Sequence, residues 1–453
     1  MILSAKYVFP ITGDPLTTGG AICVEDGRIT DIGEMNDVVK RHPDDEVTDF
    51  GMAALMPGFV DVHTRLEKSV LRGLVADQPY AKWILQVIEK SAKLELADWY
   101  DSAVVGGLDA LASGITTVGD ITSTGAALKA TLALGMRSVV YREVGAMDKM
   151  RVEHAMHSAE RDIRQWREQA KGSATTVGVA PASIYANHPQ VFGLVSELAS
   201  QEGLPVSIRL AGSREEYNFV MYGSSMFAVD NMDVGTRGYV EIPPWLPFGV
   251  SPVRYALNWG AFDAPNVMVV HAVHVDDDDI KKLVEKDVSI GTCPRANAQL
   301  GMGVAPLSEF MQAGLRVGLG TDSPAATEST DMLSEMRTGL LLHRARDTRR
   351  FLDAATMLEL ATIGGARALK MEDEIGSLEV GKRADIIAVD LSNSLQSPDV
   401  NPMSAVVNTC SVSDVLMTMV DGHVRYEKTH WHVGVEVAKS IARVIEIRAK
   451  LRH

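Results

Sequence analysis

The sequence predicts an α/β protein in which a (β/α)8 barrel carries a small composite β-sandwich domain built from both termini. Three observations support this fold class. The middle of the chain alternates about eight short apolar segments with longer amphipathic ones, which is the pattern of a parallel sheet closed by helices. Both ends instead repeat a strand, a tight turn and another strand. The 453 residues accommodate one barrel of about 250 residues and a smaller domain.

Residues 1–57 are predicted to form the N-terminal part of the sandwich. Apolar residues alternate on both sides of Asp26-Gly27, and Asp-Gly between two such segments is a strong signal for a β-hairpin. Residues 375–430 show the same pattern of strand, tight turn and strand, so we expect the two ends to pair into one domain. Residues 431–453 have apolar positions at helical spacing and are predicted to form a C-terminal helix that packs on the barrel.

Residues 58–374 are predicted to form the barrel, with helical patterns at 83–113, 125–135 and 148–171. The long, proline-rich segment 217–252 is predicted to be a lid or a loop at an interface. Catalytic residues of such barrels lie at the carboxyl ends of the strands. The residues predicted at these ends are His63, Arg65, Asp120, Glu143, Ala182, Arg209, His271 and Asp322.

Composition excludes several classes of function. A net charge of −15 disfavours a nucleic-acid-binding surface, which needs clustered Lys and Arg. No apolar run approaches the roughly 18 residues of a membrane span. The three cysteines have no paired spacing, as expected for a protein of a reducing compartment. We therefore expect a cytoplasmic protein that binds a small molecule and contacts neither nucleic acid nor membrane.

Several motifs occur in the order found in one enzyme superfamily. They are PGFVDVHTRLEKSVLRG (57–73), SGITTVGD (113–120), LPVSIRLAGSREE (204–216), VMVVHAVHVDDDDI (267–280), CPRANAQLGMG (293–303), GTDSPAATESTDMLSEMR (320–337) and GSLEVGKRADIIAVD (376–390). Together they resemble the amidohydrolase superfamily, in particular its aminohydrolase and chlorohydrolase (cytosine deaminase-like) branch and, within it, proteins of the 6-aminodeoxyfutalosine deaminase type. The resemblance implies cleavage of C–N or related bonds in small molecules, and a homodimer or larger homo-oligomer.

The resemblance also implies a metal site, and part of that site is present. Relatives hold one zinc or iron ion with the two His of an H-x-H motif, a His on the fifth strand and an Asp on the eighth, while a His on the sixth strand orients the attacking water. His63 matches the first His of the H-x-H motif, His271 matches the sixth-strand His, and Asp322 matches the eighth-strand Asp.

The other matched positions depart from the family pattern. Arg65 stands where the second His of H-x-H is expected, and Arg209 stands where the fifth-strand His is expected. The acid/base Glu is replaced by Gly212, and a fourth-strand His by Ala182. Arginine stays charged at any relevant pH and does not ligate metals. We therefore expect no cofactor, and zinc or iron only in a rearranged site made of His63, His271 and Asp322.

The leading hypothesis is an enzyme that cleaves C–N or related bonds without the usual metal. Paired guanidinium groups bind carboxylates and phosphates well, so the substrate is expected to be small and polar or anionic. A heterocyclic compound is one such substrate. The predicted catalytic residues are His63, His271 and Asp322, and the predicted substrate-binding residues are Arg65, Glu67, Arg209, His274 and Arg295.

Two alternatives remain open at this stage. In the first, Arg65 and Arg209 form salt bridges with Asp322 and Glu67, and the chain is a catalytically silent homologue that binds a ligand or regulates another protein. In the second, the chain is a metal-dependent deaminase with a rearranged site. The H-x-H sequence that the chain does contain, His430 to His432, lies in the C-terminal tail and is not expected to contribute to the barrel.

Overall fold

The structure is a computed structural model that describes residues 1–227, 248–393, 396 and 398–452. Its strands are β1 (Ile2–Ala5), β2 (Tyr7–Val8), β3 (Gly20–Glu25), β4 (Arg28–Glu34), β5 (Val47–Asp49), β6 (Ala53–Pro57), β7 (Phe59–Thr64), β8 (Ile115–Thr122), β9 (Arg137–Val144), β10 (Thr175–Pro181), β11 (Val206–Leu210), β12 (Val267–His271), β13 (Ser289–Thr292), β14 (Val317–Leu319), β15 (Ile386–Asp390), β16 (Val415–Val420), β17 (His423–Glu427) and β18 (His430–Trp431). Its α-helices are Met35–Arg41, Tyr80–Ser91, Leu96–Ala112, Ala126–Leu134, Lys149–Ala170, Gln190–Glu202, Arg214–Tyr222, Pro252–Asn258, Asp277–Glu285, Pro294–Gln299, Leu307–Gln312, Pro324–Thr327, Met332–Arg346, Ala354–Ala361, Ile363–Ala368, Pro402–Thr409 and Val437–Leu451.

Within the described part of the chain, the eight strands β7 to β14 form one parallel sheet in sequence order, which confirms the predicted barrel. β7, β8 and β12 are buried along their whole length, as expected for strands covered on both faces. A parallel bridge joins Thr64 to Asp322, and the Asp322 N–H donates to the His63 carbonyl oxygen over 2.8 Å. This contact nearly closes the barrel and brings His63 and Asp322 together.

Both termini contribute to the second region, which confirms the composite sandwich. β6 lies between β2 and β15 in a six-stranded sheet of order β18-β17-β16-β15-β6-β2, with Met56 paired to Ile387. The N-terminal segment alone forms a four-stranded sheet of order β4-β3-β1-β5. A buried cluster that includes Ile22, Leu55 and Ile386 draws residues from both sheets. Burial of this shared apolar surface holds the two ends of the chain together.

Two Asp-Gly turns shape the sandwich. Asp26 and Gly27 join β3 to β4 with φ of 49° and 76°, and Asp421 and Gly422 join β16 to β17 with φ of 49° and 73°. Positive φ at both central residues is the geometry of a type I′ turn, whose twist matches that of the flanking strands. The hairpin predicted at Asp26-Gly27 is confirmed. A Cβ on Gly27 would lie 2.9 Å from the Asp421 carbonyl oxygen, so the close packing of the two turns requires glycine.

The helical segment predicted at 83–113 is two helices, Tyr80–Ser91 and Leu96–Ala112. The second helix begins with a capping box in which the Glu95 N–H donates to the Asp98 carboxylate over 3.1 Å. Such a box satisfies free N–H groups and starts a new helix where periodicity alone suggests a continuous one.

Other predicted segments have mixed outcomes. The helix expected at 148–171 is confirmed as Lys149–Ala170, and the C-terminal helix is shorter than expected because it begins at Val437. Most of the predicted lid or interface segment, residues 228–247, lies outside the described residues. In the described ranges, no helix combines the length and apolar character needed to cross a bilayer. The predicted domain limits stay predictions.

Candidate active site

A cavity of about 480 Å³ opens at the carboxyl ends of the barrel strands. One wall is largely apolar and comes from the helix Tyr80–Ser91. The opposite side is formed by charged and polar side chains at the strand ends, which is where barrel enzymes place their chemistry. The lining residues used below are Arg65, Lys68, Tyr80, Trp83, Ile84, Val87, Arg142, Glu143, Ala182, Arg209, His271 and Asp322.

His63, His271 and Asp322 form a buried group of possible metal ligands at this cavity. Their donor atoms all lie within 4.8 Å of one another. His63 Nε2 is 3.6 Å from Asp322 Oδ1, and His271 Nε2 is 4.0 Å from Asp322 Oδ2. Two imidazoles and one carboxylate are donors that zinc and iron accept.

The backbone is strained where two of these residues sit. His271 ends β12 with φ of 76°, and Asp322 follows β14 with φ of 57°. Left-handed backbone at a residue other than glycine costs about 1–3 kcal/mol and is found where function demands a particular side-chain direction. Asp61 holds together the chain segments that carry His63 and Asp322. Its carboxylate accepts from the His63 N–H at 3.2 Å and from the Thr321 N–H at 3.0 Å.

The protonation states of the two histidines suit metal binding. Burial lowers the pKa of His271 to about 4, so its ring is neutral near pH 7. Its Nδ1 lies 3.0 Å from Asn297 Oδ1, and because an amide oxygen only accepts, Nδ1 carries the proton and Nε2 presents a lone pair towards Asp322. Burial also lowers the pKa of His63.

His63 provides the test of whether these residues fit a metal. Both ring nitrogens of His63 are buried, and neither has a hydrogen-bond partner among the residues that the structure describes. A buried polar atom without a partner is costly and requires an explanation. A divalent metal held with His271 and Asp322 supplies that explanation for one of the two nitrogens. His63, His271 and Asp322 therefore fit a divalent metal ion.

Arg65 and Arg209 share one carboxylate, that of Glu143. Arg65 Nη2 and Nη1 donate to the two oxygens of Glu143 over 2.7 and 3.1 Å, and Arg209 Nη2 donates to Glu143 Oε1 over 3.4 Å. Although burial opposes ionisation, the two guanidinium groups lower the pKa of Glu143 to about 2. The sequence suggested Asp322 and Glu67 as the partners of these arginines. The partner is Glu143, which stands at the end of β9.

Three predicted substrate-binding residues lie outside the set that lines the cavity among the described residues. Glu67 is fully buried, and its Oε2 accepts from the hydroxyls of Thr122 and Thr124 at 2.6 and 2.7 Å. His274 Nε2 lies 2.9 Å from the Met302 carbonyl oxygen.

Arg295 donates to the Thr327 carbonyl oxygen over 2.7 Å and to the Ser329 hydroxyl over 2.9 Å. These bonds hold Arg295 to the segment that follows the helix Pro324–Thr327. The substrate contacts expected of Glu67, His274 and Arg295 stay predictions.

The position matched to the family's acid/base Glu, Gly212, is close to the end of the Met302 side chain. A Cβ on Gly212 would lie 2.8 Å from Met302 Cε and 3.4 Å from His271 Cβ. The N–H groups of Ala211 and Gly212 are bound instead by the buried carboxylate of Glu216, at 3.0 and 3.1 Å. A glutamate at this position would therefore require Met302 to move.

Two functional candidates were not identified as such from the sequence. Lys68 lines the cavity with its ammonium 4.0 Å from the centre of the Trp99 ring and 3.5 Å from the Ser91 hydroxyl. Burial lowers its pKa to about 8. Glu143 could be placed at a strand end from the sequence, but its role as partner of both arginines depends on contacts between distant segments. The sequence signal for Lys68 is its position five residues after His63.

Comparisons with known proteins place this geometry in context. Residues 54–425 match the amidohydrolase family. The chain is similar to the 5-methylthioadenosine/S-adenosylhomocysteine deaminase of Pelotomaculum thermopropionicum, with 31% identity over 94% of this chain and 93% of the relative. It is also similar to the enzyme of the same name from Desulforudis audaxviator, with 30% identity over 94% of this chain and 93% of that relative.

Solved structures share the fold. An adenosine deaminase from Xanthomonas campestris with bound zinc superposes with a TM-score of 0.83 at 24% identity, covering 100% of this chain and 98% of that one. An atrazine chlorohydrolase from Arthrobacter aurescens complexed with zinc gives a TM-score of 0.81 at 21% identity, covering 98% and 100%.

These findings correct one prediction. The expectation that the chain needs no cofactor is wrong, because its structural neighbours contain zinc and because His63, His271 and Asp322 form a group able to hold a metal. The prediction relied on the number of family ligands replaced and on the charge of Arg65 and Arg209. Glu143 pairs with both arginines and so offsets part of that charge.

Proposed function

The chain belongs to the deaminase-like branch of the amidohydrolase family, and on that premise we propose that it is a metal-dependent hydrolase of C–N bonds in small molecules that carry an anionic group. The observation that carries the proposal is the convergence of His63, His271 and Asp322, where neither ring nitrogen of His63 has a hydrogen-bond partner in the described part of the chain. His63 and His271 through Nε2, with the Asp322 carboxylate, would hold the metal.

A divalent metal in such a site supplies Lewis-acid polarisation and brings the pKa of water towards about 7. The chain's own residues prepare the site. Asn297 fixes the tautomer of His271, as partners of metal-binding histidines do. Glu143 neutralises one of the two positive charges of Arg65 and Arg209, which lowers their repulsion of a cation nearby.

The charges around the cavity support an anionic substrate. Both terminal nitrogens of Arg65 donate to Glu143, and Arg142 is bound to Asp162 over 2.9 Å. Among the described residues, Arg209 has one long bond, to Glu143, and Lys68 has one long bond, to Ser91. These two cations therefore have donors to offer to a carboxylate or similar group.

The opposite wall supports a flat or apolar portion in the same substrate. Tyr80 and Trp83 line it with their rings stacked at 6.3 Å between centroids, and Ile84 and Val87 continue the surface. Aromatic and aliphatic surfaces of this kind bind planar rings. A purine with an acidic side arm combines both properties, as S-adenosylhomocysteine does in the names of the relatives.

The test combines metal content with ammonia release. Protein produced with added zinc, iron and manganese is expected to retain about one metal equivalent at the barrel site and to release ammonia from S-adenosylhomocysteine. His63→Ala is expected to lose both that metal and the activity, whereas the exposed His154→Ala is a matched control that should keep both. Folded protein with no metal bound at His63, His271 and Asp322 would refute the proposal.

The contribution of the anionic group has a separate test. Lys68→Met is expected to raise KM for S-adenosylhomocysteine about 10- to 150-fold, since a charged hydrogen bond contributes roughly 1.5–3 kcal/mol. The KM for 5-methylthioadenosine, which lacks a carboxylate, should change little. Lys68→Arg keeps the charge and should restore part of the loss. Equal effects on both substrates would remove Lys68 from anion recognition and leave the metal proposal intact.

A further inference from the structure

A second group of metal-ligating side chains lies outside the barrel, on the four-stranded N-terminal sheet. It consists of Cys23, His42 and Asp45, whose donor atoms lie within 4.8 Å of one another. Cys23 belongs to β3 and is 1% exposed. His42 ends the helix Met35–Arg41, which packs on this sheet, and Asp45 lies in the turn before β5. Three segments of the chain thus bring a thiol, an imidazole and a carboxylate to one place.

The distances are those of ligands around one ion. Cys23 Sγ is 3.3 Å from Asp45 Oδ2, and His42 Nδ1 is 3.9 Å from the same oxygen. Zinc binds thiolate at about 2.3 Å and nitrogen or oxygen at about 2.0 Å, so two ligands at the tetrahedral angle are separated by roughly 3.3–3.5 Å. The separation from the thiol to the carboxylate differs from these values by about 0.2 Å, and that from the imidazole to the carboxylate by about 0.6 Å.

The orientation of His42 is an independent observation that points to a ligand. His42 Nε2 lies 3.0 Å from Asp31 Oδ2, so this nitrogen carries the proton and Nδ1 presents its lone pair to Cys23 and Asp45. Asp31 is itself fixed by two bonds from Arg41, at 2.7 and 2.9 Å. Metal-binding histidines commonly donate their other N–H to a carboxylate held in this way.

We propose that Cys23, His42 and Asp45 bind a second zinc ion, with Asp31 as the positioning residue. A thiolate with an imidazole and a carboxylate selects zinc over magnesium or calcium, which prefer oxygen ligands alone. Zinc replaces the thiol proton of Cys23, which is released to solvent, and a water completes four ligands. The other oxygen of Asp45, Oδ1, lies 3.4 Å from the amino group of Met1 and leaves Oδ2 to the metal. This inference does not depend on the function proposed for the barrel.

The experiment is a titration of metal-free full-length protein with Co²⁺, which replaces zinc and gives a strong near-ultraviolet absorption when a thiolate is bound. We expect two equivalents to bind and one of them to produce this absorption. Cys23→Ser should abolish the thiolate absorption, and Cys410→Ser, which alters another buried cysteine, should keep it. His271→Ala should lose the barrel equivalent and retain the absorption, because the barrel ligands include no thiol.

Two further variants keep the proposal falsifiable if Cys23→Ser does not fold. His42→Asn changes a partly exposed residue and should also abolish the absorption. Asp31→Asn should retain the absorption but weaken Co²⁺ binding about 10- to 100-fold, because it loosens the orientation of His42. A folded wild-type protein without thiolate absorption, or an absorption that survives Cys23→Ser or His42→Asn, would overturn the proposal.

Discussion

Replacing Glu143 by Gln should destabilise the protein and weaken metal binding at the barrel site. The substitution keeps the size of the side chain but removes the charge that two buried guanidinium groups share. Arg65 and Arg209 would then face each other and the metal ligands with no carboxylate between them. A buried charge left without its partner is far more costly than the pair as a whole is stabilising.

Two independent arguments give the same loss of stability for Glu143→Gln. The pKa of Glu143 is held at about 2 instead of 4.5, which corresponds to about 3 kcal/mol of stabilisation of the charged form, since one pKa unit is about 1.36 kcal/mol. Breaking a buried ion pair by removing one partner costs about 3–5 kcal/mol. We therefore expect Glu143→Gln to lower the free energy of unfolding by about 3 kcal/mol at pH 7.

Urea unfolding at several pH values measures this effect and its sign. A carboxyl with a lowered pKa stabilises the folded state above its unfolded pKa, and this contribution is lost as the pH falls through its folded pKa. The difference between wild type and Glu143→Gln should therefore be full above pH 4.5 and shrink towards pH 2. The exposed Glu153→Gln is the matched control and should cost less than about 0.5 kcal/mol.

A double variant separates the ion pair from other effects of the substitution. Arg65→Met combined with Glu143→Gln removes both members of the main pair and should lose less stability than the sum of the single changes. Metal affinity is expected to fall at least tenfold in Glu143→Gln. A loss of less than 1 kcal/mol, with unchanged metal affinity, would refute the view that Glu143 compensates the two arginines.

Three more predictions follow from individual contacts. Asn297→Ala should weaken zinc binding about 10- to 100-fold by isothermal titration, because His271 loses the partner that fixes its tautomer; unchanged affinity would contradict that role. Gly320→Ala should lose metal and about 1–3 kcal/mol of stability by urea unfolding, since its Cβ would lie 2.9 Å from the His63 carbonyl oxygen. Burial lowers the pKa of His343 to about 4 from 6.5. The free energy of unfolding should therefore fall by up to about 3 kcal/mol as the pH drops from 6.5 to 4, because the folded state resists protonation of this ring. Unfolding of His343→Gln measured over the same pH range should lack this loss.

The fold could be predicted because its signals are local. Apolar segments alternate with amphipathic ones along the barrel. The turn at Asp26-Gly27 is determined by two adjacent residues. Where a local signal was overlooked, the prediction failed in a limited way. The capping box at Glu95 and Asp98 divides one expected helix into two, although its residues are three positions apart in the sequence.

The site could be predicted only in part, because its decisive contacts join segments far apart in the chain. The positions of His63, His271 and Asp322 at strand ends follow from the order of motifs. The bond from Arg65 to Glu143 spans 78 residues, and nothing in the local sequence specifies it. The metal was wrongly excluded because ligands were counted without knowing which charges near them are compensated.

The resemblance predicts histidines where Arg65 and Arg209 stand, and arginine at these positions changes the charge of the site as well as its ligands. Histidine binds a metal as a neutral group, so Arg65 and Arg209 each add a positive charge beside the metal ligands. Glu143 offsets one of these charges, and Lys68 adds a further one at the cavity below pH 8. A cavity that keeps this excess together with a dication attracts an anion more strongly than a neutral substrate. Arg209 and Lys68 at the cavity therefore agree with the proposal of a substrate that carries an anionic group.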